Sequence, residues 1–325
     1  MAGRLLLAPF VCLLAQAAGC AAVQVSVVTH RKIDNCVEVK AGTTRLVVVP
    51  AWAGRISVLD FGAGNVLWSD PKLDGRLVKP AEGWAPWDGN ATDILRSDGK
   101  SQWKGLWIHP WPKVRRLPDG VEVESEVSPE TQLSARRTYR LSPDGTRLSY
   151  SFTITCHGGT AAGWTIWERA LLPPDGYVVA PIAREGAFPE GWKLREGASV
   201  EPADRVTRLG DFLVLRAGTV KGTGLAARLR AGWAAHVVGN HALLDVFPLS
   251  KDGRYPHQGG AQAFFWVDKD KLELEPLSSE AVLSPGQSLT FTELWHWLEL
   301  PAGVEPSDPE AAGRWLDGRA AGLIP

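Results

Sequence analysis

The sequence predicts an all-β protein. Apolar and polar residues alternate over many short runs, turn tripeptides separate those runs, and helical signals are scarce. Val121-Glu122-Val123-Glu124-Ser125-Glu126-Val127 alternates apolar with polar residues, so one face meets a core and the other meets water. Pro-Asp-Gly recurs at 118–120, 143–145 and 174–176, where Pro presets φ and Gly accepts a positive φ. The 34 Gly and 23 Pro are spread along the whole chain with apolar runs between them, which is the composition of many turns rather than of disorder. At 325 residues the chain is long for one domain, but its 45% hydrophobic content can fill one large β core.

Taken in order, the chain opens with Arg4, an apolar stretch from Leu5 to Ala15, and Gln16-Ala17-Ala18-Gly19-Cys20. This is a charged n-region, an h-region and a small-residue cleavage site, too short to span a bilayer as a helix. Ala17-Ala18-Gly19-Cys20 resembles the lipobox of bacterial lipoproteins, with Ala17 where that motif favours Leu or Val. The expectation is a signal peptide over 1–19, export to the periplasm or cell envelope, and Cys20 as the lipidated first mature residue. Cleavage by ordinary signal peptidase after Gly19 or Ala22 is the alternative.

Strands are expected at Thr44–Val49, Arg55–Leu59, Arg136–Leu141, Arg147–Thr155, Phe212–Arg216, Ala261–Val267, Lys271–Leu277 and Ser288–Leu298. The pair flanking Pro143-Asp144-Gly145 reads as an antiparallel hairpin. Pro71–Pro118 differs: it holds Trp84, Trp87, Trp103, Trp107 and Trp111 with little alternation, and is expected to form loops walling a ligand site. Asp308-Pro309-Glu310 places an N-cap before a proline at the first helical position, opening a short helix to about Asp317 within a tail over 301–325. The β domain is thereby expected over 20–300.

Lys and Arg number 35 against 36 Asp and Glu, a net charge of −1 with no basic run, which argues against a nucleic-acid partner. No Cys and His spacing resembles a zinc site, and no metal or cofactor is expected. Cys36 and Cys156 are open to two readings, a disulfide in an oxidising compartment or two small buried hydrophobes. The 15 Trp against 4 Tyr fit either a large β core or a groove in which indole faces meet the C–H faces of sugar rings.

Three segments, in order, resemble the galactose-mutarotase-like superfamily, specifically its branch of unknown function. They are Val47-Val48-Val49-Pro50-Ala51-Trp52-Ala53-Gly54-Arg55-Ile56-Ser57 with Gly64-Asn65-Val66-Leu67-Trp68; Arg137-Thr138-Tyr139 through Gly163-Trp164-Thr165-Ile166-Trp167 to Leu172-Pro173-Pro174-Asp175-Gly176; and Leu272-Glu273-Leu274-Glu275-Pro276-Leu277 with Leu283-Ser284-Pro285-Gly286-Gln287-Ser288 and Thr292-Glu293-Leu294-Trp295. The resemblance spans roughly residues 43–298 and implies a supersandwich of two large antiparallel sheets with a carbohydrate ligand.

Mutarotation needs a base for the anomeric hydroxyl and an acid for the ring oxygen. The resemblance puts the base at Glu275, and Glu273 shares its strand parity. The family's histidine-bearing segment corresponds to Trp164-Thr165-Ile166-Trp167-Glu168-Arg169, which has no histidine. His257, before Gly259-Gly260, and His109 are the best imidazole candidates for the acid; His157 reads as a hairpin histidine. Arg55, Trp107, Trp111, Trp167 and Glu168 are candidate sugar contacts, and Arg55 also reads as a strand-end salt bridge. The missing histidine favours an exported carbohydrate-binding protein, with an aldose 1-epimerase-like isomerase as the alternative and a lyase or hydrolase accessory domain last.

Overall fold

A computed structural model describes residues 22–77, 89–102, 109–219 and 221–323. The signal segment, Cys20, Trp84, Trp87, Trp103 and Trp107 lie outside the described residues. Among the described residues three sheets form, with antiparallel pairing throughout. Two are the large sheets the sequence implies, and a smaller one joins them.

The small sheet is a meander of β1 (Gln24–His30), β2 (Ile33–Ala41), β3 (Thr44–Val49) and β4 (Arg55–Asp60). A ten-stranded sheet runs β13 (Val206–Leu209), β14 (Phe212–Leu215), β11 (Tyr177–Pro181), β16 (Trp233–Val238), β17 (His241–Val246), β21 (Ser288–Glu299), β9 (Arg147–Cys156), β8 (Leu133–Leu141), β7 (Gly120–Glu124) and β6 (Lys113–Leu117). The seven-stranded sheet follows the order β12 (Trp192–Leu194), β15 (Thr223–Ala227), β18 (Ala263–Val267), β19 (Leu272–Pro276), β10 (Ala162–Leu172) and β20 (Ala281–Leu283), and β5 (Asn90–Arg96) also pairs with β10.

The expected hairpin is present: β8 and β9 pair from Leu133↔Cys156 to Leu141↔Leu148, and Gly145 in the turn has φ +73°. The stretch 71–118 is not all loop. It contributes β5 and β6, and β5 hid from periodicity because its first six residues are all buried, so nothing alternates. Strands β1 and β2 also went unread.

The main core lies between the layers and includes Ile94, Ile166, Leu225, Phe265 and Leu274 from the seven-stranded sheet and Tyr139, Leu148, Tyr150 and Trp295 from the ten-stranded one. The helix α1 (Pro309–Ala320) is capped by Asp308, whose carboxylate accepts from the Glu310 and Ala311 amides. Its Ala312, Leu316 and Ala320 bury against Tyr177, Val179, Trp233 and Leu244, so it covers the outer face of the ten-stranded sheet. Cys36 and Cys156 are both free and buried, Cys36 in a cluster with Trp52 and Leu73 and Cys156 in the main core. They behave as small hydrophobes.

The junction between the small sheet and the site-bearing sheet uses Gly89 and Asn90. Gly89 has φ +74°, and a Cβ there would overlap the Ile56 carbonyl oxygen, so no other residue allows the approach. The Asn90 side-chain oxygen accepts from the Ile56 amide at 2.8 Å, tying β5 to β4.

Candidate functional site

Strand parity builds the site. On the seven-stranded sheet, one set of alternate residues fills the core; the other set faces outward as Asp93 on β5, Trp167 and Arg169 on β10, Phe264 and Trp266 on β18, and Glu273 and Glu275 on β19. Register then sets them side by side: Trp167 pairs with Asp93, Phe264 with Glu275 and Trp266 with Glu273. Gly224 on β15 pairs with Trp266, and a Cβ there would overlap the Phe264 ring, so glycine lets the aromatic lie across the strand. The result is a cleft of about 330 Å³ lined by Trp167, Arg169, Arg195, His257, Phe264, Trp266, Glu273, Glu275 and Gln258.

Arg169 is the hub. Its Nε donates to Glu275 Oε2 at 3.1 Å, its Nη2 donates to Asp93 Oδ2 at 2.8 Å, and its guanidinium lies 4.0 Å from the Trp167 ring centre. Beside it, Lys271 Nζ binds Asp268 Oδ2 at 2.8 Å and Glu273 Oε1 at 2.7 Å. Trp266 is pinned by its own N–H, which donates to Asp268 Oδ2 at 3.0 Å.

The far wall is a turn, His257–Gly259, in which Gln258 adopts the left-handed conformation at φ +46°. A non-glycine residue there costs about 1 kcal/mol, a strain usually retained where it positions a side chain. The His257 ring sits 4.4 Å from Trp167 and 5.3 Å from Phe264, centre to centre. His257 Nε2 and Trp167 Nε1 are buried without a hydrogen-bond partner among the described residues.

Burial pushes the Glu275 carboxyl up to about 8; Arg169 opposes this, Glu273 adds to it and Lys271 opposes it. Burial, reinforced by the Arg169 charge, pushes His257 down to about 4 against the opposing Gly99 backbone. Near neutral pH the carboxyl therefore keeps much of its proton and the imidazole is neutral.

Of the residues singled out from sequence, the fold brings Glu275, His257 and Trp167 together in this cleft, with Glu273 beside them. Trp107 lies outside the described residues, and the other described candidates are not brought there. Glu168, one residue from Trp167, points through the opposite face into the core, where Oε2 accepts from Thr92 Oγ1 at 2.6 Å and Tyr150 OH at 2.9 Å. Trp111 is core, its ring centre 6.1 Å from Phe152 and 5.2 Å from the Arg137 guanidinium. Arg55 is fully buried near Arg137, Arg169 and Asp93 and does not line the cleft. His109 is exposed and does not line it either. Cys156 ends β9, and the neighbouring His157 hydrogen-bonds Ser134 at 2.8 Å, away from the cleft.

Sequence reasoning missed Asp93, Arg169, Phe264, Trp266 and Arg195. Arg169 was legible, because it shares parity with Trp167; Asp93 was not, because its strand carries no alternation. Among the described residues no group of three or more His, Cys, Asp or Glu could hold a metal ion. No helix among them is long and apolar enough to cross a membrane.

No protein-family model matches the sequence, and no curated protein matches it. Solved structures do match in shape. A candidate aldose 1-epimerase from Escherichia coli K12 aligns at 14% identity and TM-score 0.58, covering 86% of this chain and 100% of that one. A galactose mutarotase-like protein from Clostridium acetobutylicum aligns at 11% identity and TM-score 0.52, covering 86% and 99%. A galactose mutarotase related enzyme from Lactobacillus acidophilus aligns at 10% identity and TM-score 0.52, again covering 86% and 99%. At such identities the likeness speaks for architecture, and it agrees with the large antiparallel sheets: the chain has the galactose-mutarotase-like fold.

Proposed function

We propose that the cleft over β10, β18 and β19 binds a carbohydrate. The observation that carries this reading is the composition of the cleft: Trp167 and Trp266, both part-exposed, with the polar groups of Glu275, Arg169 and His257. Indole faces suit the C–H surface of a sugar ring, while carboxylates and guanidinium groups suit its hydroxyls. The unpartnered Nε2 of His257 and Nε1 of Trp167 support it, since each would gain a partner from a ligand hydroxyl. The test is calorimetric titration of mono- and oligosaccharides into the whole protein. Binding that Trp167→Ala weakens by about tenfold or more, equivalent to ~1.4 kcal/mol, is the expected result; no heat with any sugar sinks the reading.

A second reading is anomer interconversion with Glu275 as base. Its support is the carboxyl raised to about 8, within the range useful for proton transfer near neutral pH. Weighing against it, His257 is neutral at that pH, and a neutral imidazole is a far weaker acid toward the ring oxygen than an imidazolium. Exchange of sugar anomers followed by NMR distinguishes the two: a rate above buffer that Glu275→Gln abolishes favours catalysis.

Export and a lipid anchor at Cys20 are part of the same proposal and rest on the sequence of 1–20 alone. Wild-type protein should fractionate with membranes and Cys20→Ser should not; identical partitioning of the two removes the anchor.

A further inference from the structure

Four acids around the cleft share two bases, and two further bases at its edge have no acid partner among the described residues. Asp93 and Glu275 share Arg169, Asp268 and Glu273 share Lys271, and Glu185 holds Arg228 at the neighbouring hollow. Lys193 and Arg195 stand apart from these pairs. They lie two residues apart at the sheet edge, so their side chains leave the extended chain on one side. The ladder continues to Arg195, whose amide donates to the Gly224 carbonyl at 2.9 Å.

Neither cation has a carboxylate within ion-pair reach among the described residues. Each rests on an aromatic ring instead: the Arg195 guanidinium lies 5.9 Å from the Trp266 ring centre, and Lys193 Nζ lies 4.7 Å from that of Phe188. A Cβ placed on Gly259, next to cleft residue Gln258, would meet Lys193 Nζ at 3.1 Å, so the ammonium stands against the cleft's turn. Ring contacts orient a cation without neutralising it. The counter-ion missing from this edge is one that a ligand would bring.

We infer that the cleft takes a saccharide bearing an anionic substituent, a carboxylate or a phosphate ester, with Arg195 as the specificity-determining residue and Lys193 flanking it. The inference rests on the carbohydrate reading above and narrows it. The planar guanidinium fork matches either anion with two parallel hydrogen bonds, which a neutral hydroxyl cannot accept as well. On the opposite wall Glu275 and Glu273 each hold a cation, Arg169 and Lys271, which reduces their repulsion of the anion.

The test is titration of the whole protein with glucose, glucuronate and glucose 6-phosphate, at low salt and at roughly 0.5 M salt, where screening is strong. At least one charged sugar should bind about tenfold or more tighter than glucose, and the advantage should shrink with salt. Arg195→Ala should cut that ratio to about threefold or less, while Arg195→Lys keeps part of it, as a point charge does without the fork. The two charged sugars separate carboxylate from phosphate. Arg195 is exposed, so the variant should keep the wild-type melting temperature. Glucose binding as tightly as both charged sugars, or an unchanged ratio in Arg195→Ala, overturns the inference and leaves the carbohydrate reading standing. Failure of every sugar to bind removes both.

Discussion

Arg169 settles the electrostatics of the cleft because it answers two buried carboxylates at once, at 2.8 Å to Asp93 and 3.1 Å to Glu275. Removing one partner of a buried ion pair leaves the rest uncompensated, which costs about 3–5 kcal/mol. Arg169→Met should therefore be strongly destabilised at pH 8. The loss should shrink at pH 5, where the orphaned carboxyls can take protons. Thermal unfolding at the two pH values checks it, and an equal loss at both would mean that Arg169 acts through packing alone. Glu275 shows the same logic from the other side: Glu275→Gln keeps the shape and removes the titrating proton, so any pH dependence of ligand affinity near pH 8 should disappear with it.

At the scale of elements, β10 explains why neighbouring residues in sequence have unrelated duties. Trp167 and Arg169 face the cleft; Glu168 and Ala170 face the core. The helix α1 is held by its apolar stripe rather than by length, since 12 residues form a marginal helix in isolation. Leu316, fully buried, should cost about 2–5 kcal/mol when cut to alanine, whereas Asp308→Ala, which removes only the cap, should cost about 1 kcal/mol. Chemical denaturation reads both, and a larger loss at Asp308 than at Leu316 would show that capping rather than docking holds the helix. The Gly89 junction is less forgiving: Gly89→Ala puts a Cβ into the Ile56 carbonyl at a positive φ, and soluble yield should collapse.

Across the whole molecule several buried carboxyl groups stand above their ordinary range. Glu168 is pushed up to about 8 by burial, with Glu293 adding and Arg137 opposing; burial likewise lifts Asp245 to about 8, and Glu293 stands well above its ordinary value through burial and Asp245. Glu168, on the seven-stranded sheet, accepts from the Tyr150 hydroxyl of the ten-stranded one, which itself accepts from Arg137, whereas Asp245 and Glu293 sit on the ten-stranded sheet. All three carboxyls have oxygens without hydrogen-bond partners among the described residues. Raised carboxyls favour the folded state while protonated, and that advantage is lost as pH climbs from the unfolded value of about 4.5 through about 8. Buried His236, His257 and His296, lowered to about 4, push the other way only below about 6.5. Between pH 6.5 and 8.5 the carboxyls act alone, each worth up to about 1.4 kcal/mol per pH unit. Melting temperature should fall across that window, and Glu293→Gln should flatten the fall. A melting temperature that rises there would contradict the protonated interior.

Alternation, the Pro-Asp-Gly turns and the Asp308 cap were local signals, and they located β3, β4, the β8–β9 hairpin, β21 and the helix start. The parity of Leu272-Glu273-Leu274-Glu275 likewise sets two carboxylates on one face of their strand. What sequence could not supply was partnership between strands distant along the chain. Asp93 meets Arg169 because β5 pairs with β10 across more than seventy residues, and Trp111, like Glu168, disappears into the core because the layers close over it. A residue's type and spacing report the face it occupies on its own strand; only the packing of sheet on sheet decides whether that face becomes a cleft or an interior.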